Sequence, residues 1–227
     1  MIEEDFQCWQ EYKTQRWVFN KLEVAMKLGY DCGPAGVPIT KDGYYIVRPI
    51  YNLYGMGIGA KKKYLSLKDD SEGMIHHEHI SPGYFWCEWF SGKHHSVDFK
   101  KQNGRWAAFN EVIGYHYNED NLVKFERWEV VEPSFKLPEW VHELSTEKYL
   151  NIESKDNNII EIHLRSGNDQ MWDLDVGSIA YPVWSGDNYE HLKNLDFIGN
   201  MHKESFKYQA DGHLEDVRLG FYINKGK

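Results

Sequence analysis

The chain of 227 residues has no apolar run long enough for a bilayer-spanning helix. Cysteine is scarce. Cys8, Cys32 and Cys87 make an odd count without Cys-x-x-Cys spacing, which argues against both a disulfide framework and a cysteine zinc site. Net positive charge is lacking as well: 26 Lys and Arg against 35 Asp and Glu leave −9. That balance argues against a general nucleic-acid binder, whose surface must neutralise phosphates, but leaves room for a local basic groove. No Gly-x-Gly-x-x-Gly opens a helix, and no Gly-x-Ser-x-Gly elbow occurs. Internal repeats and low-complexity tracts are missing too. Met1-Ile2-Glu3-Glu4-Asp5 lacks the basic-then-apolar order of a secretory leader. Reduced thiols and a cytoplasmic location are the expectation.

Aromatic residues are plentiful, at 15% of a chain that is 41% hydrophobic, with 9 Trp and 15 Tyr. Such a chain buries a full core, as one large domain or two tightly packed lobes. Residues 17–29 read as a helix, with Phe19, Leu22, Ala25, Met26 and Leu28 near helical spacing and Gly29 as the stop. A Gly/Pro loop follows at 31–38, then a strand at Tyr44-Tyr45-Ile46-Val47. Segments 61–67, 84–90, 95–99 and 105–114 read as further strands, the second and third joined by Ser91-Gly92-Lys93. Pro138 opens a helix running to about Leu144. Segments 149–153 and 159–164 form a hairpin around Lys155-Asp156-Asn157-Asn158. Hairpins outnumber strand–helix–strand units, so the fold class is α/β of the α+β kind with an antiparallel bias.

The most informative stretch runs from Tyr44 to Ala60. A strand ends in Arg48-Pro49, and a loop with Asn52, Gly55, Gly57 and Gly59 comes next. Glycine lets backbone amides approach an anion, and a guanidinium offers forked donors for phosphate. Taken alone, the glycine spacing fits an ordinary turn or bulge equally well.

Val47-Arg48-Pro49 with the 52–59 loop resembles an element of the ATP-grasp superfamily, a strand ending in Lys-Pro before a loop that folds over the triphosphate. Two more elements match in the family's order. Cys87-Glu88-Trp89-Phe90-Ser91-Gly92-Lys93-His94-His95-Ser96-Val97-Asp98 resembles the family's hinge. The resemblance implies adenine contact at Glu88, Trp89 and Phe90, and ribose contact at His94. Ile159 to Gly167 resembles the terminal Glu-x-Asn-x-Arg element. It implies Glu161 and His163 as metal ligands and Arg165 as the residue facing phosphate, with Glu153 as the upstream acid and Asp173 and Asp175 behind it.

The likeness covers about residues 17–177. Three positions depart from the family pattern: Arg48 stands for Lys, His94 for the ribose acid and His163 for Asn. The implied fold is two small lobes of mainly antiparallel sheet sandwiching a nucleotide. The core is expected at 17–184, divided into a small lobe at 17–83 and a hinge with the C-terminal lobe at 84–184. Residues 185–227 would be a C-terminal extension. The family's preceding lobe does not fit before residue 17, so a partner chain or the extension would replace it; an oligomer stays open.

Other segments have plainer readings. His76-His77-Glu78-His79 lies between Gly73 and Pro82 and reads as a solvated lid. Lys61-Lys62-Lys63 reads as a sheet edge with one lysine left for phosphate. Lys41-Asp42-Gly43 is a turn, because the adenylyltransferase motif spaces Lys and Asp differently. The resemblance implies a ligase using ATP and Mg²⁺ to join a small-molecule or peptide carboxylate to an amine or thiol through an acyl phosphate. The alternative is a degenerate ATP-grasp fold acting as a binding or structural protein without catalysis, and a weaker third reading is a β-rich module whose exposed Trp and Tyr bind glycans or another protein.

Overall fold

The structure is a computed structural model, and it describes residues 4–53, 57, 59–67, 80–117, 122, 124–146, 148–167, 171–199 and 218–226. Helix α1 (Asp5–Glu11) opens the chain, closed at its start by a reciprocal Glu4–Gln7 capping box. The helix expected at 17–29 is divided. A 3₁₀ turn over Lys13–Phe19 ends before α2 (Lys21–Lys27). Asn20 causes the break: its backbone is extended, and its side chain accepts a 3.0 Å hydrogen bond from Glu23 N as the cap of the second segment. Gly29 then turns the chain with φ +77. After Pro138 a 3₁₀ turn, Glu139–Glu143, replaces the expected α-helix.

Among the described residues, twelve strands form two sheets, and every pairing is antiparallel. The smaller sheet contains β1 (Cys32–Pro34), β2 (Gly43–Pro49), β3 (Lys61–Leu65) and β4 (Tyr84–Glu88), in the order β1-β4-β2-β3. The lysine-rich strand is thus an edge. The larger sheet contains β5 (His94–Gln102), β6 (Arg105–His116), β7 (Phe125–Val131), β8 (Tyr149–Lys155), β9 (Asn158–His163), β10 (Ile179–Trp184), β11 (Asp196–Gly199) and β12 (Arg218–Asn224). Its order is β11-β12-β10-β7-β6-β5-β8-β9, so the sheet continues beyond residue 184 and takes in two strands of the 185–227 segment.

Ser91-Gly92-Lys93 does not turn a hairpin; β4 and β5 belong to different sheets, and the segment crosses between them. The crossing is held against the β8–β9 turn. Lys93 N donates to Asp156 Oδ1 at 3.0 Å, and Asp156 N donates to Lys93 O at 2.8 Å. A Cβ at Gly92 would lie 2.1 Å from Asp156 Oδ2, so the turn approaches to a distance that only glycine permits.

One face of the large sheet packs Val97, Phe99, Leu150, Ile152, Ile162 and Leu164 against Phe19 and Val24 of the N-terminal segments. Each such side chain contributes about 1.5–3 kcal/mol on burial. Val112, Trp128, Val130, Ala180, Phe221 and Ile223 form another cluster, and Tyr45, Val47 and Trp86 anchor the small sheet. No helix among the described residues is long and apolar enough to cross a membrane.

Candidate active site

The β8–β9 hairpin sets the centre of the site. Its register places Glu153 opposite Glu161 and Asn151 opposite His163. Alternation then puts Glu161 and His163 on one face of β9, with Arg165 beyond the strand's end. Ligand atoms of Glu153, Glu161 and His163 all lie within 4.8 Å of one another. His163 Nε2 is 3.7 Å from Glu153 Oε1 and 3.6 Å from Glu161 Oε2.

Cations from elsewhere converge on these acids. Arg48, on β2, donates from Nη1 to Glu161 Oε1 at 3.0 Å and from Nη2 to Ile160 O at 2.7 Å. Lys21, at the start of α2, pairs with the same carboxylate oxygen. Burial opposes ionisation of Glu161, but Lys21 and Arg48 outweigh it and hold the carboxyl below its ordinary pKa. Burial also opposes Glu153, whose hydrogen bonds with His163 and His94 bring it well below the usual range. His94 Nε2 stands 3.5 Å from Glu153 Oε2.

Asp5 of α1 lies behind this cluster. Its Oδ2 is 2.8 Å from His163 Nδ1, and its Oδ1 is 2.9 Å from Arg165 Nε. Burial works against the imidazolium, but the Asp5 carboxylate more than compensates and raises the His163 pKa to about 9. At neutral pH His163 is therefore a cation that directs its Nε2 proton between two carboxylates. Glu153 and Glu161 offer the ionised oxygens that a hard divalent cation takes. The imidazole becomes a ligand only by giving up that proton, and it suits softer metals better.

The Asp98 carboxylate organises the floor. Oδ1 accepts from Asn151 Nδ2 at 3.0 Å and Gly167 N at 2.7 Å; Oδ2 accepts from Trp172 Nε1 at 2.8 Å and Asn110 Nδ2 at 3.1 Å. Asp98 thereby ties the segment carrying Arg165 to the strands beneath it.

A cavity of ≈ 210 Å³ opens between the two sheets at this point. Arg48, Gly57, Glu88, Trp89, Phe90, His94, Glu153, Glu161, His163 and Arg165 line it, so most residues singled out from the sequence share one space. Asn52 and Gly59 are not among its lining residues. Asn52 lines a small cleft with Asp5, Lys21, Glu161 and His163, and Gly59 (φ +77) packs against Pro49 and Tyr84. Gly55 and His76-His77-Glu78-His79 lie outside the described residues. The hinge is firmly tied: Asp31 N donates to Glu88 Oε1 at 3.0 Å, Trp89 N to Tyr44 O at 3.1 Å, and Phe90 meets the Tyr30 ring at 4.6 Å.

A scan against models of protein families finds no match, and no curated protein sequence matches the chain. Solved structures do. N5-carboxyaminoimidazole synthetase from Staphylococcus aureus, complexed with ADP, superposes with a TM-score of 0.59 at 11% identity, over 95% of this chain and 69% of that one. N5-carboxyaminoimidazole synthase from Aspergillus clavatus, in complex with ADP and aminoimidazole ribonucleotide, gives 0.55 at 10% identity, over 95% and 70%. L-amino acid ligase from Bacillus licheniformis gives 0.54 at 9% identity, over 94% and 68%. The chain has the ATP-grasp fold.

The small sheet, with Arg48 and Glu88, and the large sheet, with the β8–β9 hairpin, enclose the cavity between them. Asp5 and Lys21 contact the candidate site residues and were missed by motif reading. Lys21 lies in the 17–29 segment read as a helix from its apolar spacing, which carries no sign of a site role. Asp5 lies in an acidic N-terminal run that matches no motif.

Proposed function

We propose that this chain is an ATP-dependent ligase that activates a carboxylate as an acyl phosphate, which an amine or thiol then attacks. The observation that carries the reading is the meeting of Arg48, from one sheet, with Glu161 and Glu153, from the other, inside a cavity edged by the hinge. The synthetase and ligase names of the superposed structures, and the ADP in two of them, support it at the level of fold.

Arg48 suits a phosphate. Two of its donors are engaged by Glu161 and Ile160, while its buried Nε has no hydrogen-bond partner among the described residues. Glu153 and Glu161 would hold Mg²⁺, and when bound that ion would neutralise the transferring phosphoryl group. Glu88, Trp89 and Phe90 present the hinge to the base. Arg165, fixed by Asp5, supplies positive charge where phosphoryl transfer develops negative charge. A carboxylate oxygen attacks the γ-phosphorus and ADP leaves; the amine or thiol then attacks the acyl carbon and phosphate leaves. Both steps need water excluded, which a cavity between two sheets favours.

A thermal shift with ATP and Mg²⁺, against ATP alone and Mg²⁺ alone, tests the reading. Saturation at 100 Kd stabilises the native state by roughly 2.7 kcal/mol, which should raise the melting temperature by several degrees if the site is competent. The second reading, a degenerate ATP-grasp fold that has lost the nucleotide site and serves as a binding or structural protein, draws on His163. As an imidazolium beside both carboxylates it stands where a metal charge would sit. Absence of any nucleotide-dependent shift would favour that second reading.

A further inference from the structure

Cys32 and Cys87 lie far apart in the chain, yet the register of the small sheet sets them directly opposite one another on β1 and β4. The hydrogen bonds beside them fix what kind of pair they form. Glu88 N donates to Asp31 O at 2.8 Å, and Ala35 N donates to Tyr84 O at 3.1 Å. Bonded and non-bonded pairs alternate along antiparallel strands. Asp31–Glu88 and Ala35–Tyr84 are bonded pairs, so Gly33–Trp86 between them is bonded and Cys32–Cys87 is not. Pro34, which has no N–H to give, falls opposite Phe85 at the other non-bonded position, as this pattern requires. A non-bonded pair brings its Cα atoms to about 4.5 Å and its side chains onto one face. That spacing lies within the range a disulfide spans, roughly 4.4–6.8 Å.

The packing agrees with the register. Cys32 and Cys87 share a cluster with Phe85, Ile46 and Ala25 of α2, and Cys87 lines the cavity between the sheets. Trp86 turns to the opposite face, where it joins Tyr45 and Val47. Cys87 is buried, while Cys32 is half-buried and within reach of a small reagent. Cys8 belongs to a different cluster, its Sγ donating to Leu164 O at 3.4 Å.

We propose that Cys32 and Cys87 form a reversible cross-strand disulfide beside the hinge, with an organic disulfide such as oxidised glutathione as the oxidant. The Cys32 thiolate attacks one sulfur of that disulfide, and one glutathione leaves. The Cys87 thiolate then attacks the Cys32 sulfur of the mixed disulfide, and the second glutathione leaves. The two departing thiolates take up the two protons, so two protein thiols are oxidised and one disulfide is reduced. Burial, with Asp31 and Glu88 adding to it, pushes the Cys32 thiol up to about 11; burial pushes Cys87 up to about 12 against the charge of Arg48. Thiolate is scarce at neutral pH, so the exchange takes minutes to hours and answers sustained oxidation. The bond would fasten Asp31–Cys32 to Cys87–Glu88, where Asp31 N already donates to Glu88 Oε1 at 3.0 Å. The site stands whether or not the chain is a ligase.

The test incubates the native full chain in glutathione buffers of rising oxidised share, followed by acid quenching, alkylation and peptide mass mapping. The expected product is a peptide pair joined at Cys32 and Cys87, lighter by two hydrogens and separated again by dithiothreitol, with Cys8 alkylated. Cys32→Ala and Cys87→Ala should each abolish the pair, and Cys8→Ala should leave it. In Cys87→Ala a mixed disulfide should accumulate on Cys32; in Cys32→Ala the buried Cys87 should take up glutathione about tenfold more slowly. Cys32→Ala, at the more exposed position, decides the matter if Cys87→Ala does not fold. Amide exchange at Gly33 and Trp86 should slow several-fold in the oxidised chain. No joined pair in the most oxidising buffer, pairing of either cysteine with Cys8, or joining of two chains would overturn the assignment. So would a pair formed only in denaturant, or amide exchange that quickens on oxidation.

Discussion

Asp5 Oδ2 lies 2.8 Å from His163 Nδ1, joining residues 158 positions apart in the chain. The same carboxylate faces Arg165 at 2.9 Å, so one N-terminal acid holds two candidate site cations in place. Neutralising it as Asp5→Asn leaves Arg165 buried beside an amide. Removing one partner of a buried pair costs about 3–5 kcal/mol, and chemical denaturation should show a loss of that order.

The pH dependence of stability follows from the same contact. The His163 pKa is raised in the folded chain, from 6.5 to about 9. Its contribution is therefore fully present below 6.5 and fades as pH rises through about 9. Wild-type unfolding free energy should carry a component that declines across this window. In Asp5→Asn the component should flatten, and the His163 ring resonances should titrate at lower pH. An unchanged ring pKa in the variant would contradict Asp5 as the cause.

Glu161 meets Arg48 and Lys21 on one oxygen and faces His163 with the other. Glu161→Gln keeps the shape and removes the charge. Under the proposed function it should abolish turnover and the Mg²⁺-dependent part of the ATP thermal shift. Two half-buried cations then lose their common partner, so some stability should go as well. Retained Mg²⁺ dependence would remove Glu161 from the metal site.

At the hinge, Gly92 has φ +113, and a Cβ there would overlap Asp156. Gly92→Ala should destabilise by about 1–3 kcal/mol through backbone strain, with a further cost from the clash. Adding Asp156→Gly removes the clash but also the Lys93 N–Asp156 Oδ1 hydrogen bond, so recovery should be partial. If the double variant regained wild-type stability, strain would not contribute.

Much of this site could be read locally. Arg48, the hinge residues and Glu161 each sit in a short pattern whose chemistry survives without knowledge of the fold, and the β8–β9 hairpin announced itself through its turn residues. The unrecognised parts depend on distant contacts. Asp5 gains meaning only when α1 packs under β9. Strand β10 contains Pro182, which counts against a strand assignment, yet that residue is paired with Phe221 of β12. The 17–29 helix failed at Asn20 because periodicity registers the apolar face but not a capping side chain that restarts the helix.

Asp98 gives a last test, because its four hydrogen bonds have a direct consequence for the site. It receives donors from Asn110, Asn151, Trp172 and the backbone of Gly167. Asp98→Asn places an amide NH₂ where one oxygen accepted, so at least one of these donors faces another donor. An unsatisfied buried group costs about 1–3 kcal/mol, and more where a charge assisted the bond. Gly167 is two residues beyond Arg165, so loosening it should displace the guanidinium rather than the nucleotide. The expected signature is a fall in kcat of about tenfold or more, from misplacement near the reacting atoms, with the ATP-dependent thermal shift largely kept. Loss of nucleotide binding in step with kcat would instead place Asp98 in the general integrity of the large sheet.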